Sequence, residues 1–309
     1  MTDFIQTAPE VAEARAAGRP IVALESTIIT HGMPWPQNLE TAQKVEQTIR
    51  DAGAVPATMA VIEGTLNVGL TPERLETLAR ARDVAKLSRA DLAACMATGG
   101  TGATTVASTM IAAHLAGIEV FATGGIGGVH RGAEESFDIS ADLMELAQTP
   151  VTVVAAGAKA ILDLPKTLEV LETNGVPVIA YGQADFPAFW SRSSGLKAPL
   201  SMTTAAEIAA AHRMRGALGL PGGQLVANPV PAADEIPREE IGPIVEAALA
   251  EASAQGITGK DVTPYLLSRI FELTEGRSLV TNIALVLNNA RLAAAIAAEL
   301  AGKPTSRAG

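Results

Sequence analysis

The sequence predicts a single α/β domain, because short apolar segments alternate with helical patterns along most of its 309 residues. The apolar segments lack a polar face, which is typical of inner strands in a sheet that helices cover on both sides. Hydrophobic residues make up 48% of the chain, enough for a large core. No linker-like stretch divides the sequence. We therefore predict one domain over residues 1–309, with a disordered tail at 303–309.

The predicted strands and helices follow one another in the order expected for an α/β protein. Strands are expected at residues 20–27, 57–64, 119–125, 150–157, 177–182 and 223–230. Helices are expected between some of them, at 38–53, 71–81 and 165–175. Asn38 is the expected N-cap of the first helix, and Thr71 followed by Pro72 marks the start of the second. Gly53 and Gly175 are expected just past the ends of the first and third helices.

Two segments are predicted to be loops from their proline, glycine and serine content, at 183–201 and 227–237. The first contains Phe186, Phe189 and Trp190. Large aromatic side chains on a loop suggest either a lid or a contact between subunits.

Composition and charge exclude several classes of protein. A net charge of −10 and a pI near 5.0 argue against a nucleic-acid polymer as partner, because phosphate binding needs clustered lysine and arginine. The single cysteine, Cys95, excludes an internal disulfide framework. The acidic N-terminal segment lacks the pattern of a signal peptide, and no apolar run approaches the roughly 20 residues that cross a bilayer. We expect a soluble, cytoplasmic protein with no membrane partner.

Two glycine-rich segments, 100–105 and 125–130, raise the question of nucleotide binding. A dinucleotide-binding loop needs a third glycine where these segments have Thr105 and His130. No GxxxxGK[ST] sequence occurs either. What remains is a backbone that turns sharply and can present amide N–H groups to an anion, although a purely structural turn would also explain the glycines.

Polar side chains follow these glycines closely and favour a sugar phosphate as ligand. They are His130, Arg131, Asp138, Ser140 and Asp142, and the segment TGATTVAST adds hydroxyl groups. Asp138 and Asp142, four residues apart, could ligate a hard divalent cation that keeps water ligands, such as Mg²⁺ or Mn²⁺. Neither HExxH nor CxxC is present, so zinc is not expected.

Three ionisable residues are candidates for the chemistry. Glu25 closes one predicted strand and Lys159 follows another, at the edge of the sheet where α/β sites form. Desolvation disfavours the charged form of an ionisable group, which favours a nucleophilic amine and a carboxyl that can donate a proton. The alternatives without a catalytic role are a lysine whose charged end extends to the surface and a glutamate that caps a turn. Lys86 could likewise belong to a solvated charged face.

The chain resembles the pseudouridine-5′-phosphate glycosidase family, also described as the indigoidine synthase A-like family, from about residue 8 to 300. The resemblance rests on ALESTIITHGMPWPQN, EGTLNVGL, KLSRADL, TGATTVASTM, VFATGGIGGVHRGAEESFDISADL, AGAKAILDLPKTLE and SLVTNIALVLNNA, in this order. It implies a three-layer α/β/α sandwich around a mixed, largely parallel sheet, assembled as a homotrimer with a divalent cation, typically Mn²⁺. It also implies reversible cleavage of the C–C glycosidic bond of pseudouridine 5′-phosphate to uracil and ribose 5-phosphate.

The family's functional positions fall on particular residues of this sequence. The resemblance implies Lys159 as nucleophile, Glu25 as acid and Asp138 as metal ligand. It implies substrate contacts from Lys86, the backbone of Val106, the phosphate-side segment Ser140, Ala141 and Asp142, and, for the base and sugar, His130 and Asn282. Thr105, in the hydroxyl-rich loop, is also expected to contact the substrate.

Three other functions compete with this interpretation. The nearest is a Schiff-base aldolase or lyase that acts on another sugar phosphate with the same scaffold. A sugar kinase is the second, but the sequence has no GAGD-type motif and no room for a kinase domain. The third is a non-catalytic accessory protein of pigment biosynthesis, which the presence of Glu25, Lys86, Asp138 and Lys159 argues against.

Overall fold

A computed structural model describes residues 4–257 and 262–302 of the chain. The predicted tail at 303–309 lies outside these residues. In the described part, eleven strands form one mixed sheet: β1 Ile5–Thr7, β2 Ile21–Leu24, β3 Val55–Ile62, β4 Thr65–Val68, β5 Ala85–Leu87, β6 Gly102–Thr104, β7 Val120–Ala122, β8 Thr152–Ala155, β9 Val178–Tyr181, β10 Leu200–Met202 and β11 Gln224–Ala227.

Helices connect most of these strands. Their bounds are α1 Pro9–Ala16, α2 Thr27–Thr30, α3 Gln37–Asp51, α4 Pro72–Arg80, α5 Arg89–Ala97, α6 Val106–Leu115, α7 Ala133–Ser136, α8 Ala141–Gln148, α9 Leu164–Thr173, α10 Ala205–Ala217, α11 Arg238–Ala254, α12 Val262–Leu273 and α13 Arg277–Ala301. A short 3₁₀ turn covers Ala232–Asp234.

The sheet is mixed but largely parallel. Its strand order is β1-β4-β3-β2-β7-β8-β11-β9-β10, with β6 paired to β3 and β5 to β6. Every neighbouring pair from β3 to β10 along this order is parallel, and β3 pairs antiparallel with β4 and β6. Helix α13 packs against both α3 and α10 on one face, and α6 packs against both α5 and α8 on the other. The predicted three-layer α/β/α fold is confirmed.

The six predicted strands are present, and five of them are shorter than the apolar runs that predicted them; the strand predicted at 57–64 has the predicted length but covers Val55–Ile62. The run at 150–157, for example, contains β8 over Thr152–Ala155 only. Ala156 and Ala158 beyond it are fully buried, because the chain leaves the sheet there and continues through the core as a loop. Burial, and not strand geometry, therefore makes the ends of these runs apolar.

Most of the predicted helix ends are correct, with one exception. The Thr71 hydroxyl accepts a hydrogen bond from Arg74 N at 3.4 Å, and Gly53 and Gly175 adopt left-handed φ values of 84° and 68°. The prediction of Asn38 as N-cap is wrong, because α3 begins at Gln37 and Asn38 lies buried in its first turn. Its amide instead donates to Ile29 O and Ala79 O, each at 2.8 Å, and so ties α3 to two other segments.

The aromatic residues of the 183–201 loop belong to the core. Phe186, Phe189 and Trp190 are only 0%, 6% and 1% exposed. Phe189 and Trp190 pack edge to face, with ring centroids 5.1 Å apart. Because these rings are buried within their own subunit, the interpretation of the loop as a lid or a subunit contact is wrong for them.

One helix is long and apolar enough, by length and composition, to cross a membrane, contrary to the sequence-based expectation. It is α13, and 61% of its most apolar window is buried inside the protein. The helix packs against β2, β7 and β8 in the middle of the sheet. Asn282, Asn288 and Asn289 interrupt its apolar sequence, which is why no long apolar run is visible in the linear chain. Its burial is that of a core helix.

Candidate active site

The central strands of the sheet bring the predicted catalytic residues together. β7 lies between β2 and β8, and all three run parallel. Glu25 directly follows β2, Thr123 follows β7, and Lys159 comes four residues after β8. Because carboxyl ends of parallel strands meet at one edge of the sheet, these side chains converge there.

Two adjoining cavities open at this edge. The first has a volume of about 250 Å³ and is lined mainly by polar residues, among them Glu25, Lys86, Thr105, Val106, His130, Asp138, Ser140, Asp142 and Lys159. The second, of about 100 Å³, also has Glu25, Lys86 and Lys159 in its wall. Its other lining residues are mostly apolar, including Ile28, Phe189, Leu267 and Val286, together with Asn282. Of the predicted site residues, only Ala141 lines neither cavity.

Lys159 is held by its backbone, and its side chain has no partner in the described residues. Its N–H donates to Ile126 O at 3.1 Å, so the glycine-rich loop and the segment after β8 support each other. Within residues 4–257 and 262–302, Lys159 Nζ makes no hydrogen bond or ion pair. In this part of the chain no carboxylate pairs with the amine, as a nucleophile requires.

The Glu25 carboxylate is oriented by two hydroxyl groups. Thr27 donates to one oxygen and Thr123 to the other. The backbone at Thr123 is itself fixed from α13, since Asn289 Nδ2 donates to Thr123 O at 2.8 Å. Asn228 Nδ2 in turn donates to Asn289 Oδ1 at 3.0 Å. A buried polar network thus fixes Thr123 and, through its hydroxyl group, the Glu25 carboxylate.

The polar cavity has the features of an anion-binding site. Helices α6 and α8 begin beside it, at Val106 and Ala141, with Thr105 and Ser140 as their N-cap residues. In the described part of the chain, no acceptor is found for the N–H of Val106 or Ala141. Unpaired N–H groups and the positive end of the helix dipole favour an anion at such a place. Lys86, on β5, adds a cation to the same wall.

Asp142 has a structural position inside this site. Its two carboxylate oxygens accept hydrogen bonds from Ala107 N at 2.9 Å and Gly127 N at 2.8 Å. It is only 7% exposed and therefore joins the start of α6 to the glycine-rich loop. The expectation that this loop presents its amides to a ligand is wrong for Gly127, whose N–H faces a carboxylate of the same chain.

The glycines of the loop are explained by close packing. A Cβ atom on Gly127 would lie 2.2 Å from Ser140 Oγ and 2.8 Å from Asp142 Oδ2. One on Gly125 would lie 2.7 Å from the ring of Phe189. Neither distance is tolerable, so any larger residue would displace the side chains that line the site. Glycine here serves the packing of neighbouring side chains.

Asp138 and His130 form the remaining polar pair. His130 Nδ1 lies 3.9 Å from Asp138 Oδ2. Burial lowers the pKa of the His130 imidazole; the Asp138 carboxylate opposes this shift, whereas Lys159 and Lys86 reinforce it. Burial and the charge of Lys86 also lower the pKa of His31, which lines the smaller cavity. The lowered pKa favours the neutral form of both imidazoles.

The donor set fits a divalent cation only if most of its ligands come from elsewhere. Among the described residues, no three His, Cys, Asp or Glu side chains are grouped to hold a metal ion. The same cavity wall also contains Glu25, Asp91 and Asp142. Glu25 accepts from two hydroxyl groups, Asp91 accepts from Ser88 N at 3.0 Å and Asp142 accepts two main-chain hydrogen bonds, so Asp138 is the carboxylate best placed to take an ion. A Mg²⁺ or Mn²⁺ ion that keeps several waters and binds a phosphate of the ligand suits one carboxylate.

Several residues of the site were not predicted from the sequence. Thr27 and His31 lie in the segment STIITHG, but nothing in that segment shows which of its polar side chains face the cavity. Thr123 lies near the end of a predicted strand, as Glu25 does, and this position is the signal in the sequence that could have identified it. Asn289 lies 166 residues from Thr123, so their contact has no local signal at all.

Comparison with known proteins agrees with this geometry. Residues 10–299 match the family described as Indigoidine synthase A like protein. A pseudouridine-5′-phosphate glycosidase of Roseobacter denitrificans is 72% identical over 300 residues, which cover 95% of this chain and 97% of that protein. The protein of the same name from Paracoccus denitrificans is 71% identical over 303 residues, with 97% and 100% covered.

A solved structure with a similar fold is that of the prealnumycin C-glycosynthase in complex with ribulose 5-phosphate. Its TM-score to this chain is 0.90 and its sequence is 38% identical. The match covers 97% of this chain and 98% of the other. The similarity therefore extends over the whole α/β/α sandwich.

Proposed function

The chain belongs to the indigoidine synthase A-like family, and from this premise we propose that it catalyses the reversible cleavage of pseudouridine 5′-phosphate, with water, to uracil and ribose 5-phosphate. One observation carries the proposal: Glu25, Lys86 and Lys159 line a polar cavity and also the smaller apolar cavity beside it. The polar cavity suits the sugar phosphate and the apolar cavity suits a planar base.

The chemistry of the leaving group explains the need for an amine. Uracil departs from this substrate through carbon C5, and an unassisted departure would leave a poorly stabilised carbanion. Cleavage therefore requires a proton on C5 and an electron pair that pushes from the sugar side. A lysine bonded to C1′ supplies that electron pair.

We assign the attack to Lys159 and the proton transfers to Glu25. Lys159 first passes a proton from its ammonium group to Glu25; Nζ then bonds to C1′ while the C1′–O4′ bond breaks, and Glu25 delivers that proton to O4′. Glu25 then takes up the proton that the attacking amine loses and passes it to C5. The nitrogen lone pair forms a C1′=N bond as the C1′–C5 bond breaks, and the electrons of that bond return to the uracil ring. Water hydrolyses the imine and restores the amine.

The phosphate end of the substrate is held by groups that do not take part in bond making. We propose that Lys86 and the N–H groups of Val106 and Ala141 bind the phosphate, with the Ser140 hydroxyl beside them. Asp142 acts indirectly, because its two hydrogen bonds keep α6 and the glycine-rich loop in register. This arrangement holds C1′ near Lys159, so that binding of the phosphate orients the reacting carbon.

A divalent cation, held by Asp138 and the substrate phosphate, would neutralise phosphate charge in this cavity. We expect EDTA to abolish activity and Mn²⁺ to restore it. We also expect Asp138→Ala to weaken Mn²⁺ binding at least about tenfold, because it removes a ligand carboxylate. The matched variant Asp142→Ala should retain Mn²⁺ affinity, since its carboxylate is bonded to the backbone. Titration of Mn²⁺ followed by electron paramagnetic resonance measures the Mn²⁺ affinity of both variants. Full activity of the unmodified enzyme in EDTA would contradict a metal requirement.

Loss of a supporting hydroxyl is expected to impair Glu25 without removing it. Thr123→Val keeps the buried shape of the side chain but deletes the donor to the carboxylate. One hydrogen bond to a charged group contributes about 1.5 kcal/mol, so kcat should fall about tenfold with little change in KM. Thr123→Ser should restore most of the rate. Steady-state kinetics of the two variants measure this, and equal rates for Thr123→Val and the unmodified enzyme would refute the support assigned to Thr123.

The synthetic direction gives the most direct assay of the reaction. The purified protein is incubated with uracil, ribose 5-phosphate and Mn²⁺, and the product is analysed by mass spectrometry and NMR for the C-glycoside. Formation of pseudouridine 5′-phosphate is expected. Cleavage of another sugar phosphate, without any C-glycoside, would instead identify a Schiff-base lyase or aldolase.

A further inference from the structure

The amide of Asn282 lies in the wall of the apolar cavity, next to Phe189 and Val286. Its Oδ1 accepts a hydrogen bond from Trp190 Nε1 at 2.6 Å. The same indole N–H lies 3.2 Å from Ser278 O, one turn earlier on α13. The polar atom of a buried tryptophan is thus used to hold one amide of the cavity wall.

This contact fixes which end of the amide faces Trp190. An indole N–H can only donate, and of the two amide ends only the oxygen can accept. A rotated amide would place its NH₂ group against the indole N–H, donor against donor, and leave the indole N–H with only the longer contact to Ser278 O. The chemistry of the two groups therefore dictates this orientation.

Trp190 has little freedom to yield to the amide. It is 1% exposed and packs edge to face against Phe189 at 5.1 Å. Its backbone O also accepts from Ile236 N at 3.0 Å, which ties it to the segment after β11. A rigid donor of this kind can fix the orientation of a partly buried asparagine.

The other end of the amide remains for a ligand. Among residues 4–257 and 262–302, Asn282 Nδ2 has no hydrogen-bond acceptor. Since Oδ1 is engaged by Trp190, the group that Asn282 offers to the cavity is an N–H donor. A donor held in a fixed orientation in the cavity wall selects a ligand that carries an acceptor at the matching position.

We propose that Trp190 is a positioning residue that orients Asn282 so that its Nδ2 donates to a carbonyl oxygen of the base, and that this pair selects uracil over bases with an amino group at that position. This inference rests on the proposed function and adds its base specificity. An amino group would set donor against donor, and a site built for one hydrogen bond rejects the mismatched ligand strongly.

Two amino-substituted bases locate the carbonyl. Cytosine carries an amino group in place of the oxygen at C4, and isocytosine carries one in place of the oxygen at C2. Dissociation constants for uracil, cytosine and isocytosine are measured by calorimetry in the presence of ribose 5-phosphate and EDTA, since uracil and ribose 5-phosphate are expected to react when Mn²⁺ is present. The unmodified protein should bind one of the two analogues at least about tenfold more weakly than uracil, as expected for one lost hydrogen bond.

The variant Trp190→Phe keeps the packed ring and removes the N–H. It should weaken uracil binding about tenfold and shrink the penalty for the rejected analogue, because the amide can then rotate. Affinity for ribose 5-phosphate alone should stay within about twofold. Trp35→Phe is the matched control, since Trp35 is 42% exposed, stacks on Arg80 and lines neither cavity. It should change none of these constants.

Asn282→Asp gives a second, independent test. An aspartate would still accept from Trp190 with one oxygen and would present the other oxygen to the cavity. The variant should therefore bind the analogue that the unmodified protein rejects more tightly than it binds uracil. The inference is overturned if the unmodified protein binds all three bases equally, or if Trp190→Phe keeps both uracil affinity and discrimination. Equal loss of base and ribose 5-phosphate binding in Trp190→Phe would assign Trp190 a structural part only and also overturn it. Absence of C-glycoside synthesis by the unmodified protein is a different result, which contradicts the proposed function itself.

Discussion

Replacing Lys159 with alanine is expected to lower turnover of pseudouridine 5′-phosphate by about 10⁴-fold or more, because the variant lacks the amine that bonds to C1′. The fold should be retained. Lys159 Nζ makes no hydrogen bond or ion pair within the described residues, so its removal leaves no buried partner unsatisfied. Single-turnover kinetics measure the chemical step, and circular dichroism checks the fold.

A neighbouring lysine provides the control. Lys166 is only seven residues away and lies on α9, where it pairs with Glu134 at 2.7 Å and Asp163 at 3.1 Å. It lines neither of the two adjoining cavities. Lys166→Ala should retain nearly full turnover. If Lys159→Ala retained turnover within about tenfold of the unmodified enzyme, the nucleophile would have to be another group.

Removal of the substrate's phosphate is expected to have the second largest effect. Pseudouridine without phosphate should be turned over at least about 10³-fold less efficiently, since Lys86 and two helix N-terminal N–H groups would lose charge-assisted hydrogen bonds of about 1.5–3 kcal/mol each. Lys86→Ala should lower kcat/KM for the phosphorylated compound about 10- to 100-fold and change that for the free nucleoside much less. Kinetics with both compounds measure the two differences.

Comparison of the phosphorylated compound with the free nucleoside separates a loss of phosphate binding from a general loss of activity. Lys44, an exposed lysine on α3 that lines neither adjoining cavity, is a suitable control, and Lys44→Ala should leave both compounds unaffected. Comparable turnover of the two compounds by the unmodified enzyme would contradict a phosphate site at this position. An equal loss for both compounds in Lys86→Ala would show that Lys86 acts on the sugar or base end instead.

The layered fold could be predicted from the sequence because its signals are local. Runs without a polar face predict covered strands, and Thr71 with Pro72 marks the start of a helix. The antiparallel pairing of β3 with β4 and β6 has no such signal, since it depends on which strands meet after folding. Asn38 shows the same limit. Its position suits an N-cap, but its amide contacts Ile29 and Ala79, which only the folded chain brings close.

Some residues of the candidate site also have a local signal in the sequence, and others have none. Glu25 and Lys159 could be singled out because each follows an apolar strand, and the sequence resemblance assigned them their chemistry. The groups that orient them could not. Asn289 reaches Thr123 across 166 residues, and Trp190 reaches Asn282 across 92. Asp142 resembled a possible metal ligand by spacing from Asp138, whereas hydrogen bonds to Ala107 and Gly127 give it a structural position.

Trapping of the covalent intermediate tests the central claim, that Lys159 forms an imine with the open-chain sugar. Borohydride added during turnover reduces a C1′=N bond to a stable amine, and tryptic digestion with mass spectrometry then locates the attached ribose 5-phosphate. The account predicts one modified peptide, with the sugar on Lys159, and no adduct in Lys159→Ala. An adduct on Lys86, or turnover that leaves no lysine modified under borohydride, would contradict it.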